Sequence, residues 1–236
     1  MKKPYIKKYL QLSRFTVWIV DGDWIRKNLN EDFVGYDSHS GCSCVPKGEF
    51  WIDKIAKKSE IHFYIDRMLA EHKFLEQGFS AQAAAKKAKL IEKRERSKLK
   101  LSEEFREKLL NREKVLKRIH KSIFVEYPGL QVWLVNGTVV RDLFLVDYAE
   151  GGHGYVYSFV PKSEIWMEVT LSSKERKFIL LHELHERYRM AKFKESYSKA
   201  HASATRVEDM CRKDASLLAA ALKKEVQRNL GLHKKR

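Results

Sequence analysis

Cysteine, proline and glycine are scarce in this chain, at 3, 4 and 11 of 236 residues. An odd cysteine count without regular spacing excludes a disulfide framework and favours a reducing compartment. Cys42-Ser43-Cys44 with His39 offers half of a zinc site, but no second cysteine pair completes it. Free thiols beside a turn are therefore expected. So little proline and glycine, with 33% charged and 44% hydrophobic residues, excludes a fibrous or disordered chain. Long apolar runs are missing too. The stretch F-T-V-W-I-V near the N-terminus is too short for a signal-peptide core and is cut by Asp21. No run approaches a transmembrane helix, so no membrane insertion and a cytoplasmic location are expected. Acidic residues are the minority, 31 against 47 Lys and Arg, for a net charge of +16. That balance favours a polyanionic partner such as nucleic acid.

What is present is a chain written twice. V-W-I-V-D-G-D-W-I-R (17–26) lies over V-W-L-V-N-G-T-V-V-R (132–141), an offset of 115. At the same offset C-V-P-K-G-E-F-W-I-D (44–53) lies over F-V-P-K-S-E-I-W-M-E (159–168), and Glu60 matches Glu175. Further on, F-S-A-Q-A-A-A (79–85) over Y-S-K-A-H-A-S (197–203) gives an offset of 118. These matches predict a tandem duplication, copy one over 1–122 and copy two over 123–236. The length suffices for one large domain or two small ones with cores.

Each copy reads as short strands rich in Val, Ile, Trp and Tyr, then two helices. Val135-Asn136-Gly137-Thr138 predicts a type I′ hairpin turn, with Val20-Asp21-Gly22-Asp23 as its equivalent. The loop Gly151-Gly152-His153-Gly154 leads to a predicted strand at Tyr155-Val156-Tyr157. In copy two, Ser172 or Ser173 caps a helix running to about Lys192, with Glu175 in its opening turn. A second helix is predicted from Tyr197 to Leu230, ending before Gly231. The expected fold is α+β: a small antiparallel sheet followed by a helical hairpin, present twice. Between the copies, residues 86–121 hold fifteen Lys or Arg and six Glu. That stretch predicts a solvent-facing helix with a polyanion-binding side carrying Lys86, Lys87, Lys93, Arg94, Arg96, Lys98 and Lys100.

Residues 178–187, F-I-L-L-H-E-L-H-E-R, place four proton- or metal-binding groups after an apolar run. On a helix, His182 and Glu186 share a face, and Glu183 sits at its rim. If the hairpin turns near 193–195, His201 on the next helix lies at almost the same height as Glu186. Two histidines and one glutamate suit a catalytic zinc, with a fourth position left for water, and equally suit non-haem iron. Glu183 is the candidate general base. Glu208, His185, Tyr197 and His153 are candidates for a supporting shell. The alternatives are a polar network between helices without metal, and a solvated face. His153 could instead belong to a hairpin loop that needs positive φ. Copy one discriminates: His182 becomes Arg67, Glu183 becomes Met68, His201 becomes Ala83, and Glu186 stays Glu71. A cluster needed only for packing would be needed in both copies.

H-E-L-H-E resembles the H-E-x-x-H motif of metallopeptidases, with Glu186 where the second histidine stands. The resemblance implies a ligand–base–ligand arrangement and covers five residues. The wider pattern of a Gly-Gly-His loop, V-P-K-x-E-x-W strand, H-E-x-x-E helix and Y-x-x-A-H helix resembles an uncharacterised domain of microbial and phage proteins. That resemblance covers nearly all of copy two and implies no activity. Two functional expectations follow: a metal-dependent hydrolase, or a basic nucleic-acid-binding protein in which the cluster is structural. Substrate and oligomeric state do not follow from the sequence.

Overall fold

The structure, a computed structural model, describes residues 3–98 and 112–232. It divides into two compact units, Met1–Val115 with Arg141–Asp147, and Leu116–Val140 with Tyr148–Arg236. The fold is α+β as expected, with one four-stranded sheet per repeat.

In the first repeat, β1 (Tyr5–Gln11), β2 (Thr16–Val20), β3 (Tyr36–Ser38) and β4 (Glu49–Asp53) form a sheet of order β1-β2-β4-β3. The helices are α1 (Gly22–Asn28), α2 (Lys58–Glu76) and α3 (Ala81–Lys98). In the second repeat, β5 (His120–Tyr127), β6 (Leu130–Val135), β7 (Gly151–His153) and β8 (Glu164–Glu168) repeat that order. Its helices are α5 (Gly137–Leu143), α6 (Glu175–Phe193), α7 (Tyr197–Lys213) and α8 (Leu218–Gly231), with α4 (Arg112–Ile119) preceding β5. Among the described residues no helix is long and apolar enough to cross a membrane.

The sheets are mixed, not antiparallel. β2 and β4 run parallel with Trp18 opposite Trp51, and β6 and β8 run parallel with Trp133 opposite Trp166. Parallel neighbours need a crossover, which α1 and α5 begin. That overturns the predicted hairpin turns. Asp21 caps α1, its Oδ1 accepting from Trp24 N at 3.4 Å, and Asn136 O accepts from Val139 N at 3.0 Å. Asx-Gly serves a helix start as readily as a turn. Gly22 is needed for close approach: a Cβ there would stand 1.8 Å from Asp53 Oδ2.

Three other expectations are corrected. Residues 151–153 are not a loop; they pair with β8, while 155–157 form a turn in which His153 O accepts from Val156 N and Tyr157 N. The final helix is broken: Asp214 ends α7, its side chain accepts from Ser216 N at 3.0 Å, and α8 folds back beside α6. Cys42 and Cys44 are joined as a disulfide, not free thiols, because a turn closed by Val45 N donating to Cys42 O brings their Cα atoms to 5.1 Å. His39 is occupied by the same turn, its Nδ1 lying 2.8 Å from Val45 O.

The repeats match in their buried polar contacts as well as their strands. Trp51 donates to Glu49 at 2.7 Å and Trp166 donates to Glu164 at 2.6 Å. Tyr5 and His120 occupy the same position on these carboxylates, at 2.9 and 3.0 Å. In the second helices the equivalences are Ser80 with Ser196, Ala84 with Ala200, Glu92 with Glu208, and Arg96 with Arg212. The offset there is therefore 116 instead of 118, and His201 corresponds to Ala85. Arg96 donates to Glu92 at 2.9 Å and to Glu60 at 3.0 Å; Arg212 donates to Glu208 at 2.8 Å and to Glu175 at 3.2 Å. Each guanidinium also lies over a phenylalanine ring of the preceding helix, Phe63 at 4.2 Å and Phe178 at 4.6 Å. The second copy begins earlier than 123, since His120 already pairs with Val135 in the sheet.

Candidate metal centre

The site lies wholly in the second unit and is built on α6. Ser172 Oγ accepts from Glu175 N at 3.1 Å, so the predicted serine cap opens the helix. Every residue from Phe178 to Arg187 is buried. A helix covered all round belongs in an interior, and here its polar residues must find partners. Lys194 takes the left-handed conformation at φ 57°, Ser196 stands at the N-cap of α7, and the hairpin turns where the sequence predicted. Ala200 and Ala204, fully buried, leave α6 and α7 free to approach closely.

That approach brings three predicted ligands together. His182 Nε2 lies 3.0 Å from His201 Nδ1, His201 Nδ1 lies 2.8 Å from Glu186 Oε2, and Glu186 Oε2 lies 3.7 Å from His182 Nε2. Tetrahedral ligands at about 2.0–2.1 Å from an ion stand about 3.3 Å apart, so this triangle has the size of a metal-binding one. The group could hold a metal ion, as could His153, Glu183 and Glu186, which share Glu186 with it.

Behind the triangle, His182 Nδ1 lies 2.8 Å from Glu208 Oε2. A carboxylate at that nitrogen accepts its N–H and fixes the ring so that Nε2 faces the centre. Glu208 is held by Arg212, and Arg212 by Glu175 at the start of α6. Glu208 thus lies against His182, where the sequence placed it as a candidate for the supporting shell. Arg212 and Glu175 were missed as its supports, although their equality with Arg96 and Glu60 at offsets of 116 and 115 is a readable signal.

Burial would lower the His182 pKa, but Glu186 and Glu208 outweigh it and lift the imidazole to about 10. Burial, reinforced by the charge of Glu186, drives Glu183 up to about 8. Burial also opposes the charge of Glu186, yet His153, His182 and His201 hold it well below the usual carboxylate range. Two neighbouring carboxylates are thereby pushed in opposite directions, one able to hold a proton and one kept as an anion.

The other candidates separate. His153, on β7, places Nε2 3.1 Å from Glu186 Oε1. Tyr197 lies beside the open side, its ring centroid 5.1 Å from that of His201, whose side chain is 40% exposed. His185 is not in the supporting shell: it faces α8 and α7, with Nδ1 3.1 Å from Glu225 and Nε2 3.0 Å from Ser203 Oγ. The glycines of the Gly-Gly-His segment are not at positive φ. Gly151 instead makes room for Glu183, since a Cβ there would stand 2.8 Å from Glu183 Oε1.

The basic face is smaller than predicted. Lys86, Lys87, Lys93 and Arg94 are exposed on α3, but Arg96 is buried among Glu60, Glu92 and Phe63. The side chain of Lys98 and all of Lys100 lie outside the described residues, and 120–121 belong to strand β5. Comparison with known proteins finds no matching family model, no matching curated relative and no matching solved structure.

Proposed function

We propose that the second repeat binds one divalent metal ion, zinc or ferrous iron, through His182, Glu186 and His201, and uses it in a hydrolytic reaction with Glu183 as the base. The observation that carries this reading is the triangle of 3.0, 2.8 and 3.7 Å among ligand atoms, with Glu208 fixing His182 from behind. Two imidazoles and a carboxylate would hold the ion and would leave room for water in a four-coordinate site. A zinc ion bound by such a set supplies Lewis-acid activation of water near neutral pH. Glu183, next to His182 in the chain and buried, would in its carboxylate form take the proton and deliver it to the leaving group.

Elemental mass spectrometry on untagged protein tests the centre. About one equivalent of zinc or iron is expected in the wild type, lost in both His182→Ala and His201→Ala. Metal-free wild type of normal fold would make the cluster a polar network. Glu183→Gln is expected to keep the metal and lose turnover in a hydrolase screen; undiminished turnover would remove Glu183 from the role.

A second reading rests on the exposed Lys86, Lys87, Lys93 and Arg94 of α3. These would bind nucleic acid through phosphates, with affinity falling steeply as salt rises. A flat salt dependence, or no binding at low salt, would count against it.

A further inference from the structure

The second ligand-like group, His153, Glu183 and Glu186, invites assignment as a second metal site, and its hydrogen bonds argue otherwise. Its three ligand atoms lie within 4.8 Å of one another. His153 is 0% exposed and Glu183 8%. His153 Nε2 and Glu183 Oε2 are both buried without a hydrogen-bond partner among the described residues, although Nε2 lies 3.1 Å from Glu186 Oε1, outside the direction of a hydrogen bond. Buried polar atoms of native proteins are almost always paired, so two orphans facing one spot mark a place for a ligand.

The nature of that ligand follows from the far side of the imidazole. His153 Nδ1 accepts from Tyr155 N at 3.2 Å. A neutral imidazole that accepts at Nδ1 carries its proton on Nε2. A protonated Nε2 repels a cation and donates to an oxygen. With Glu183 in its carboxylate form the spot presents one donor, His153 Nε2–H, and two acceptors, Glu183 Oε2 and Glu186 Oε1. Those are the needs of one water molecule, which accepts once and donates twice.

We infer that His153 is a positioning residue rather than a metal ligand. With Glu183 and Glu186 it holds a single water beside the His182–Glu186–His201 centre, within reach of the base that deprotonates it. This rests on the metal reading above for its catalytic meaning, but not for its geometry. The first repeat serves as the internal control. Ser38, Met68 and Glu71 occupy the three equivalent positions, and Tyr36, stacked on Tyr64 at 4.3 Å, replaces Gly151. No such set of one donor and two acceptors exists there.

The test is ring-nitrogen NMR on the full chain with 15N-labelled histidine, recorded before and after titration with zinc chloride, together with the zinc stoichiometry. His153 is expected to show the Nε2–H tautomer in both states, with one zinc bound per chain. His153→Gln, which keeps an N–H donor, and His153→Phe are both expected to retain that zinc within about threefold in affinity. A ligand would lose at least about 100-fold, given that residues merely supporting ligands lose 10–100-fold. An Nδ1–H tautomer in either state overturns the assignment. So does a second zinc that disappears in His153→Gln. If no zinc binds at all, the metal reading fails, while the zinc-free spectrum still decides the role of His153 without any variant that must fold.

Discussion

In the first repeat Arg67 Nη1 lies 3.2 Å from Glu92; in the second His182 Nδ1 lies 2.8 Å from Glu208. The two pairs occupy the same place in the same helical hairpin, and the carboxylate is supported in each by the same arginine, Arg96 or Arg212. The difference lies in what the partner can do next. A guanidinium has no lone pair to offer, and Arg67 bridges two carboxylates instead, Glu92 at 3.2 Å and Asp147 at 2.6 Å. An imidazole passes the contact through its ring, giving a proton to the carboxylate on one side and a lone pair to a metal on the other. The buried glutamate–arginine frame thus belongs to the fold. The proposed chemistry rests on a few substitutions on it: His182, Glu183 and His201 for Arg67, Met68 and Ala85, and Gly151 for Tyr36.

The strongest way to break this comparison is to transplant the ligands. Arg67→His with Ala85→His, beside the existing Glu71, is expected to give the first repeat a metal site and raise zinc stoichiometry from one to two, read by elemental analysis. Unchanged stoichiometry would mean that the frame alone does not set ligand geometry. Next in size, Glu208→Ala removes the group that orients His182 and is expected to weaken zinc binding about 10–100-fold in a competition assay with a chelating dye. Equal affinity would detach the frame from the site. Gly151→Ala forces a methyl against Glu183 and Ile179, at 2.8 and 2.9 Å. It should destabilise the protein by about 1–3 kcal/mol in denaturant unfolding, the usual effect of overpacking.

The smallest effect tests the first repeat by itself. Burial raises Asp37 from 3.8 to about 6. The folded state then binds a proton that the unfolded chain releases, so this contribution is complete below about pH 4 and is lost as pH rises through about 6. Asp37→Asn, whose Oδ1 can still accept from Ser38 N, should raise stability at pH 7.5 by about 1–2 kcal/mol and have little effect at pH 4. Thermal melts at the two pH values decide it.

Much of the site was legible before any coordinates. The spacing of His182 and Glu186, the turn at 193–195 and the small residues around His201 together place Glu186 and His201 at one height with His182 one turn away on the same face, because helix rise and periodicity are fixed by the backbone. The sheets were less legible. Asp21-Gly22 and Asn136-Gly137 fit a hairpin turn and a helix cap equally well, and only the strand added across the sheet decides between them. His153 could be named but not understood, since its role depends on the Tyr155 amide behind it and on two carboxylates from α6. Arg96 looked like one more cation on a basic helix. Its burial is set by Glu60 and Phe63, more than thirty residues away, which no local pattern reports.

The return of α8 along the back of α6 has a consequence for how the protein is made. Arg187 donates to Asn229 at 2.7 Å, His185 lies 3.1 Å from Glu225, and Asn229 donates to Leu184 O at 2.8 Å. The helix that carries His182 and Glu186 is therefore left with bare polar groups until residues 225–229 have been synthesised. During translation the sheet and His182 leave the ribosome well before the segment that seals them. The packing behind His182 and Glu186 is therefore completed late in the maturation of the chain.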